Sequence, residues 1–489
     1  MNVTDSVSTN KKIDLTKVKR GPIIISLLLG AFVAILNETL LSNALPDLMK
    51  AFGVTASTIQ WLSTAYMLVV GVLVPVTAVL QQWFTTKQLF LTAMIMFLAG
   101  TLLAAFAPSF GFLLAGRIVQ AFGTGLLLPI MMNTILIIFP PEQRGGAMGL
   151  MGLVMMFAPA LGPTISGFII DSLDWHWLFY MVIPFAVISI IIGAVYLTNL
   201  MEIKKPKVDI LSIILSTLGF GGIVYSFSKS GDLGWSDPEV YWTLIIGAFS
   251  LVWFVIRQLR IANPILDLRT FRYPVFALMV VLTVIIMMTM FSTMVILPMF
   301  LQGILLITAF KSGLIMLPGS VLNGLLAPVS GKLFDKFGPR VVIIPGVILI
   351  AVAIWLFTGI DASVTTGQII AIHCLLLIAI ALVIMPTQTH GLNQLPPDLY
   401  PHGTAIFSTL QQVAGSIGTA LFISRISVGQ SNYLAKSTNP NDPAEIGVAA
   451  LAGFEAAFTL GLLFSVIAIV VSLFIKRSKH KQIHEHHRT

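Results

Sequence analysis

Of the 489 residues, 57% are hydrophobic and only 10% charged, where ordinary soluble domains carry roughly 25% charge. That balance excludes a soluble globular domain, and the lack of short apolar and polar alternation excludes a membrane barrel. The net charge of +8 would suit nucleic acid if it were gathered on a soluble surface. Here it is strung along loops between apolar segments, where anionic lipid is the partner it meets, so no nucleic-acid partner is expected.

A basic tail, residues 1–21 with Lys11, Lys12, Lys17, Lys19 and Arg20, leads into a first apolar segment at 22–45. The segment is too long for a signal peptide and lacks a small-residue cleavage site, so it reads as a retained first helix. Further apolar segments follow at 59–80, 88–107, 111–137, 146–170, 177–199, 209–228, 240–259, 274–300, 312–333, 340–360, 366–388, 403–425 and 451–475. Each is about twenty residues or longer, which at ~1.5 Å per residue crosses a ~30 Å hydrocarbon core. The spacing predicts an all-α membrane protein with fourteen transmembrane helices and both termini on one side. With those termini inside, the outer loops hold only Lys50, Lys229, Lys311, Arg425 and Lys436, and the cytoplasmic loops take nearly all other loop cations.

Two echoes divide the chain. Pro75-Val-Thr-Ala-Val-Leu-Gln-Gln-Trp-Phe-Thr-Thr-Lys87 is answered by Pro328-Val-Ser-Gly-Lys-Leu-Phe-Asp-Lys-Phe-Gly-Pro-Arg340 at an offset of 253, and Pro140-Pro141-Glu142 by Pro396-Pro397-Asp398 at an offset of 256. Spans one to six (22–199) therefore pair with spans nine to fourteen (274–475) as two pseudo-symmetric six-helix bundles. Spans seven and eight are an inserted two-helix linker (200–273), and 476–489 is a cytoplasmic basic tail. Such repeats mark transporters that alternate access around a central site.

Glu38 lies inside the first span, where an ionisable group is costly and by default functional. Arg117 enters the fourth span about 9 Å from its outer end, at a level similar to Glu38, so the two are placed in one cavity. A neighbouring cation favours the ionised carboxylate and desolvation the protonated one, so rocking of the bundles would switch Glu38 between releasing and holding a proton. The plainer alternative is a static structural pair. Asn133, Asn323, Gln388, Gln411 and Gln412 are candidates for lining the substrate cavity, with interhelical hydrogen bonds as the alternative. The methionines of span nine, with Phe291, suit a pocket accepting many shapes or plain packing. Cys374 is alone in a span, and His484-Glu485-His486-His487 reads as a solvated tail, so no metal is expected. Neither a phosphate-binding Gly-Lys-Ser/Thr loop nor a nucleophile elbow or His-Glu-x-x-His pattern occurs, so ATP is not the energy source and no enzyme is expected.

Several segments resemble the major facilitator superfamily, and within it the fourteen-span drug:proton antiporters, most closely the lincomycin-resistance type of exporter. Gly331-Lys-Leu-Phe-Asp335-Lys-Phe-Gly338-Pro-Arg340 resembles the family's cytoplasmic loop motif, which implies a gate built on Gly331, Asp335, Gly338 and Arg340. Leu113-Leu-Ala-Gly-Arg117-Ile-Val-Gln120-Ala-Phe-Gly123 is similar to the fourth-span motif with its buried Arg. Ala158-Pro159-Ala-Leu-Gly162-Pro163-Thr-Ile-Ser-Gly167 resembles the fifth-span antiporter motif, which makes Pro159, Gly162, Pro163 and Gly167 a hinge. Leu36-Asn37-Glu38-Thr39-Leu40-Leu41-Ser42-Asn43-Ala44-Leu45-Pro46 matches the first-span signature of the fourteen-span branch. Three departures stand out. Asn37, here a cavity residue, takes the place of the family's first-span Asp, so the acid moves to Glu38. Gln82 and Trp83 replace the charges of the first loop motif, and Ser166 replaces a Gly.

The resemblance implies a monomeric proton-coupled multidrug exporter in the cytoplasmic membrane of a bacterium. It would exchange protons for lipophilic, often cationic toxic compounds, with the proton gradient instead of a cofactor. The rivals are a transporter of one physiological solute, such as a lipid precursor, peptide or siderophore, and a transporter-like sensor or scaffold.

Overall fold

The computed structural model describes residues 19–54, 56–199, 209–262, 264–361, 363–437, 439 and 442–475. Residues 1–18 of the N-terminal tail, the C-terminal tail with the His484 cluster, and Lys204, Lys205 and Lys207 lie outside them. Among the described residues every regular element is helical. The long segments are α1 Arg20–Phe52, α2 Ala56–Trp83, α3 Thr86–Ala105, α4 Phe110–Ile138 and α5 Arg144–Ser172. Next come α6 Trp177–Tyr196, interrupted at Met181, α7 Ile210–Leu233, α8 Pro238–Arg260 and α9 Pro274–Gly303. The series ends with α10 Ala309–Phe337, α11 Pro339–Thr358, α12 Thr366–Leu392, α13 Tyr400–Leu434 and α14 Pro443–Leu473.

Twelve stretches within these helices are long and apolar enough to cross a bilayer, among the described residues. A thirteenth is α2 taken as one span, bent by 53° between Trp61–Leu73 and Pro75–Trp83, as an internal proline bends a helix. Length and composition thus give twelve or thirteen crossings among the described residues; α5, some of whose side chains lie outside the described ones, is not among those counted, and the expected fourteen is not confirmed.

Helix ends follow local chemistry. Thr85 accepts from Gln88 N and Gln88 Oε1 accepts from Thr85 N, a capping box that opens α3, and Thr365 with Gln368 does the same for α12. Pro238, Pro274 and Pro339 stand at the start of α8, α9 and α11, where a missing N–H costs nothing.

Among the described residues α1 to α6 pack on one another and α9 to α14 do likewise, while the most extensive contact of all runs between these groups, α5 against α10. Small residues set the closest contacts. A Cβ at Gly116 would meet Ala104 N at 2.8 Å, and one at Gly100 would meet Gln120 Cγ at 2.8 Å, so α3 and α4 lie nearly backbone to backbone. The inserted hairpin is equally tight where Gly222 meets Gly247. Its first helix, α7, lies against both α2 and α13, one from each half. Arg20 stacks over Phe139 at 5.5 Å, which puts the start of α1 and the end of α4 at one end of the molecule. Arg144, Asp335 and His402 make their hydrogen bonds between the halves at this Arg20 end.

Candidate functional site

Arg117 is 1% exposed inside the N-terminal half, where an unpartnered cation would be strongly destabilising. Its Nη1 donates to Asn37 Oδ1 of α1 at 2.8 Å and to Gln120 Oε1 at 3.0 Å. Gln120 Nε2 donates to Thr101 Oγ1 of α3 at 2.8 Å, and the Thr101 hydroxyl in turn donates to Phe97 O at 2.7 Å. The guanidinium stands 4.0 Å from the ring centroid of Tyr66 on α2, whose hydroxyl donates to Thr124 Oγ1 at 2.7 Å. Four helices therefore hold one cation with amide dipoles and an aromatic face. Among the described residues no carboxylate comes within ion-pair distance, and Arg117 Nε is left without a partner.

Glu38 sits about 100° further round α1 than Asn37 and remains half-buried. It makes no ion pair with Arg117, although it lies within electrostatic reach of that cation. The residue in direct contact with the cation is Asn37, and the acid stands beside it. One residue on, Thr39 faces α5: a Cβ at Gly162 would collide with the Thr39 hydroxyl. Ser166 donates to Leu40 O at 2.7 Å, so the hydroxyl that departs from the family pattern is a bond between α5 and α1. Pro159 is half-buried in the same helix. The surroundings of Pro163 and Gly167 lie outside the described side chains.

The other polar candidates separate into two kinds. Asn133 Nδ2 donates to Gln81 Oε1 at 2.6 Å and Asn323 Nδ2 to Leu377 O at 2.6 Å; both are buried interhelical bonds inside one half. Gln411 and Gln412 are half-buried, and Gln412 Cγ would lie 3.8 Å from a Cβ on Gly71 of α2, along the seam between the halves. Gln388 is 1% exposed with neither amide atom partnered among the described residues.

At the Arg20 end the halves lock together. Asp335, at the end of α10, accepts from Gly145 N and Gly146 N, each at 2.9 Å, and so caps the start of α5 with a carboxylate. The approach is possible only because both facing residues are glycine, since a Cβ on Gly331 would overlap Gly145 O. Arg144 donates through Nη1 to Asn393 Oδ1 at 2.8 Å and to the Tyr400 hydroxyl at 3.0 Å across the halves. It also donates through Nη2 to Leu136 O at 2.6 Å and Nε to Phe139 O at 3.1 Å. Gln82 meets His402 at 3.0 Å, whose other ring nitrogen accepts from Asp267 N at 3.2 Å. Gly338, with φ of 82°, makes the turn after α10. Arg340 is exposed on the outer side of that turn.

Sequence reasoning passed over Tyr66, Gln120, Arg144, Tyr400 and His402. The repeat carried a signal for three of them. At the offset of 256, Arg144 falls on Tyr400, its own partner across the halves, and Gly146 falls on His402.

Comparison with known proteins agrees with this architecture. Residues 27–419 match the family described as the Major Facilitator Superfamily. The lincomycin resistance protein LmrB of Bacillus subtilis (strain 168) is 52% identical over 460 residues, 94% of this chain and 96% of that protein. LmrB of Listeria monocytogenes serovar 1/2a (strain ATCC BAA-679 / EGD-e) is 49% identical over 463 residues, 95% of this chain and 98% of that protein. In fold, the chain is similar to the human organic anion transporter MFSD10 (TETRAN), with a TM-score of 0.63, 14% identity, and coverage of 92% of this chain and 99% of that one.

Proposed function

Because the chain belongs to the major facilitator superfamily, we propose that it is a proton-coupled multidrug exporter of a bacterial cytoplasmic membrane, working by alternating access. Relatives about half identical over nearly their whole length and named for lincomycin resistance support drug efflux. The fourteen-crossing layout, with two six-helix halves and an inserted pair, belongs to the same reading, as do termini and the Arg20 end at the cytoplasmic face. In that orientation the contacts at Asp335, Arg144 and His402 close the cytoplasmic mouth.

The observation that carries the coupling is the arrangement around Arg117. A cation fixed by neutral groups keeps its charge uncancelled locally, and Glu38, half-buried within electrostatic reach, is the acid placed to balance it. Protonating Glu38 leaves the chamber one charge more positive, which disfavours a cationic drug; binding the drug favours release of the proton. Proton and drug then exclude one another by linkage, and that is antiport. The substrates expected are lipophilic compounds, often cationic, with the proton gradient as the energy source. One proton crossing 100 mV supplies about 2.3 kcal/mol, and a pH unit adds about 1.4 kcal/mol.

Vesicles with an imposed pH gradient test this reading. Glu38→Gln is expected to abolish gradient-driven dye accumulation while drug binding persists at unchanged protein abundance. Pumping equal to the parent would overturn it.

A further inference from the structure

Beside the gate turn, on its membrane-facing side, lies an apolar groove of about 300 Å³ lined by Leu333, Phe337, Val341, Val342, Pro345 and Leu382. It runs between the end of α10, the start of α11 and α12. Phe337 is 53% exposed and Val341 60%, so the groove opens outward instead of toward the seam between the halves. An open apolar slot on such a surface takes a hydrocarbon chain.

Its rim is basic. Lys336 Nζ stands 5.2 Å from the centroid of the Phe337 ring that lines the groove, and Arg340 follows across the Gly338 turn, adjacent to Val341. Both are exposed, as is Lys332 one turn before Lys336. Arg340 forms no ion pair with another described residue, so the turn presents its charge outward. The repeat supplies an internal comparison. At the offset of 253, Lys332, Lys336 and Arg340 correspond to Val79, Trp83 and Lys87, so the first half keeps one cation where the second has three.

We propose that this groove is a binding site for an anionic phospholipid, with an acyl chain in the apolar slot and the phosphate headgroup on Lys336 and Arg340. Basic pockets between membrane helices on the cytoplasmic side take such headgroups, and Arg and Lys both make charge-assisted bonds to phosphate. The choice of leaflet rests on the orientation given under the proposed function. Binding itself does not depend on transport. The lipid would brace the turn whose opposite side carries Asp335, and so would favour the closed mouth.

The test is native mass spectrometry of the full chain, delipidated and then titrated with phosphatidylglycerol or phosphatidylethanolamine of equal chain length. The parent is expected to retain phosphatidylglycerol at least about fivefold more tightly. That preference should be lost in the double variant Lys336→Gln, Arg340→Gln and kept in Lys87→Gln. Thermal unfolding in phosphatidylethanolamine nanodiscs checks that the double variant is folded; if it is not, Lys336→Gln alone is read and must weaken retention. Equal retention of both lipids, an unchanged double variant, or displacement of the lipid by a lipophilic drug would each overturn the proposal.

Discussion

At the Arg20 end, the C-terminal half offers Asp335 to the backbone of Gly145 and Gly146, while the N-terminal half offers Gln82 to His402. These are counterpart contacts, since Gln82 maps to Asp335 and Gly146 to His402 across the repeat. One is a carboxylate on the positive end of a helix, and the other is a neutral amide against an imidazole. Deeper in, the asymmetry reverses: the buried cation Arg117 and the half-buried acid Glu38 both belong to the N-terminal half. At the corresponding depth of α12 the C-terminal half instead buries an imidazole, His373, 2% exposed. Duplication supplied a common frame, and charge was then divided within it. The first half holds the buried cation with an acid beside it, and the second holds the charged clasp.

The largest effect expected from breaking this division is at Glu38. Without a titratable carboxylate, an accumulation ratio of about tenfold per proton for each unit of imposed pH difference should collapse to about one. A second change sharpens the point. Asn37→Asp in the Glu38→Gln background would put an acid 2.8 Å from Arg117, where the amide oxygen now sits. Partial recovery of dye accumulation would show that the half needs one acid near the cation and tolerates either position. No recovery, with normal abundance, would show that the position of Glu38 on the helix matters in itself.

Next comes the clasp. Gly331→Ala puts a methyl group into Gly145 O, and overpacking of this kind costs about 1–3 kcal/mol. Because the clash exists only when the mouth is shut, the closed population should fall at least about fivefold. Nitroxide labels at exposed Gln143 and Asp398, one from each half, would report a longer distance by electron–electron resonance. Gly111→Ala, which meets nothing within 4 Å, is the control and should leave the distance unchanged.

What the sequence could reveal follows from what a one-dimensional pattern encodes. Apolar blocks of membrane-crossing length reveal helices, and the repeated prolines reveal their pairing. A lone Glu and a lone Arg in apolar runs reveal themselves because burial makes them costly. Depth is also legible, at a fixed rise per residue. Azimuth is not: Asn37 and Glu38 share a level, and only the packing of α1 against α4 decides which one meets Arg117. Asn133 and Asn323 likewise looked like cavity residues because a polar atom in a span needs a partner, and the partner proved to be a neighbouring helix. Arg144 and Tyr400 occupy equivalent places in the repeat, yet a pattern of equivalence does not say that the equivalents touch.

A smaller effect is expected from making the halves alike. Gln82→Asp restores a carboxylate near the start of α13, beside His402, worth about 0.3–1 kcal/mol by analogy with acids at helix starts. The closed population should rise by about two- to fivefold in the same distance measurement, and Asp335→Asn should lower it by a similar factor. If Gln82→Asp opens the mouth instead, the neutral contact is preferred there for its own geometry and the equivalence of the two clasps is lost.

The smallest effect concerns the inserted hairpin, which belongs to neither half yet lies against α2 of one and α13 of the other. Arg257 donates Nε to Asp209 Oδ2 at 2.6 Å and Nη2 to Oδ1 at 3.0 Å, tying the end of α8 to the start of α7. The pair is partly exposed, 32% and 21%, so water and salt screen it and its contribution is small even with two-pronged geometry. Hydrogen bonding from Arg257, ahead of that from Ser212, holds the Asp209 carboxyl below its ordinary value of 3.8 despite some desolvation. A depressed carboxylate stabilises fully above its unfolded value and loses that contribution only as pH falls through the folded one. Between about pH 5 and about pH 8, therefore, the tie should be constant. Arg257→Met is expected to speed amide exchange across α7 and α8 by up to about fivefold, equally at both pH values. The distance between the labels at Gln143 and Asp398 should not move. If it does, α7 transmits force between the halves, and the comparison of two bundles must become a comparison of three bodies.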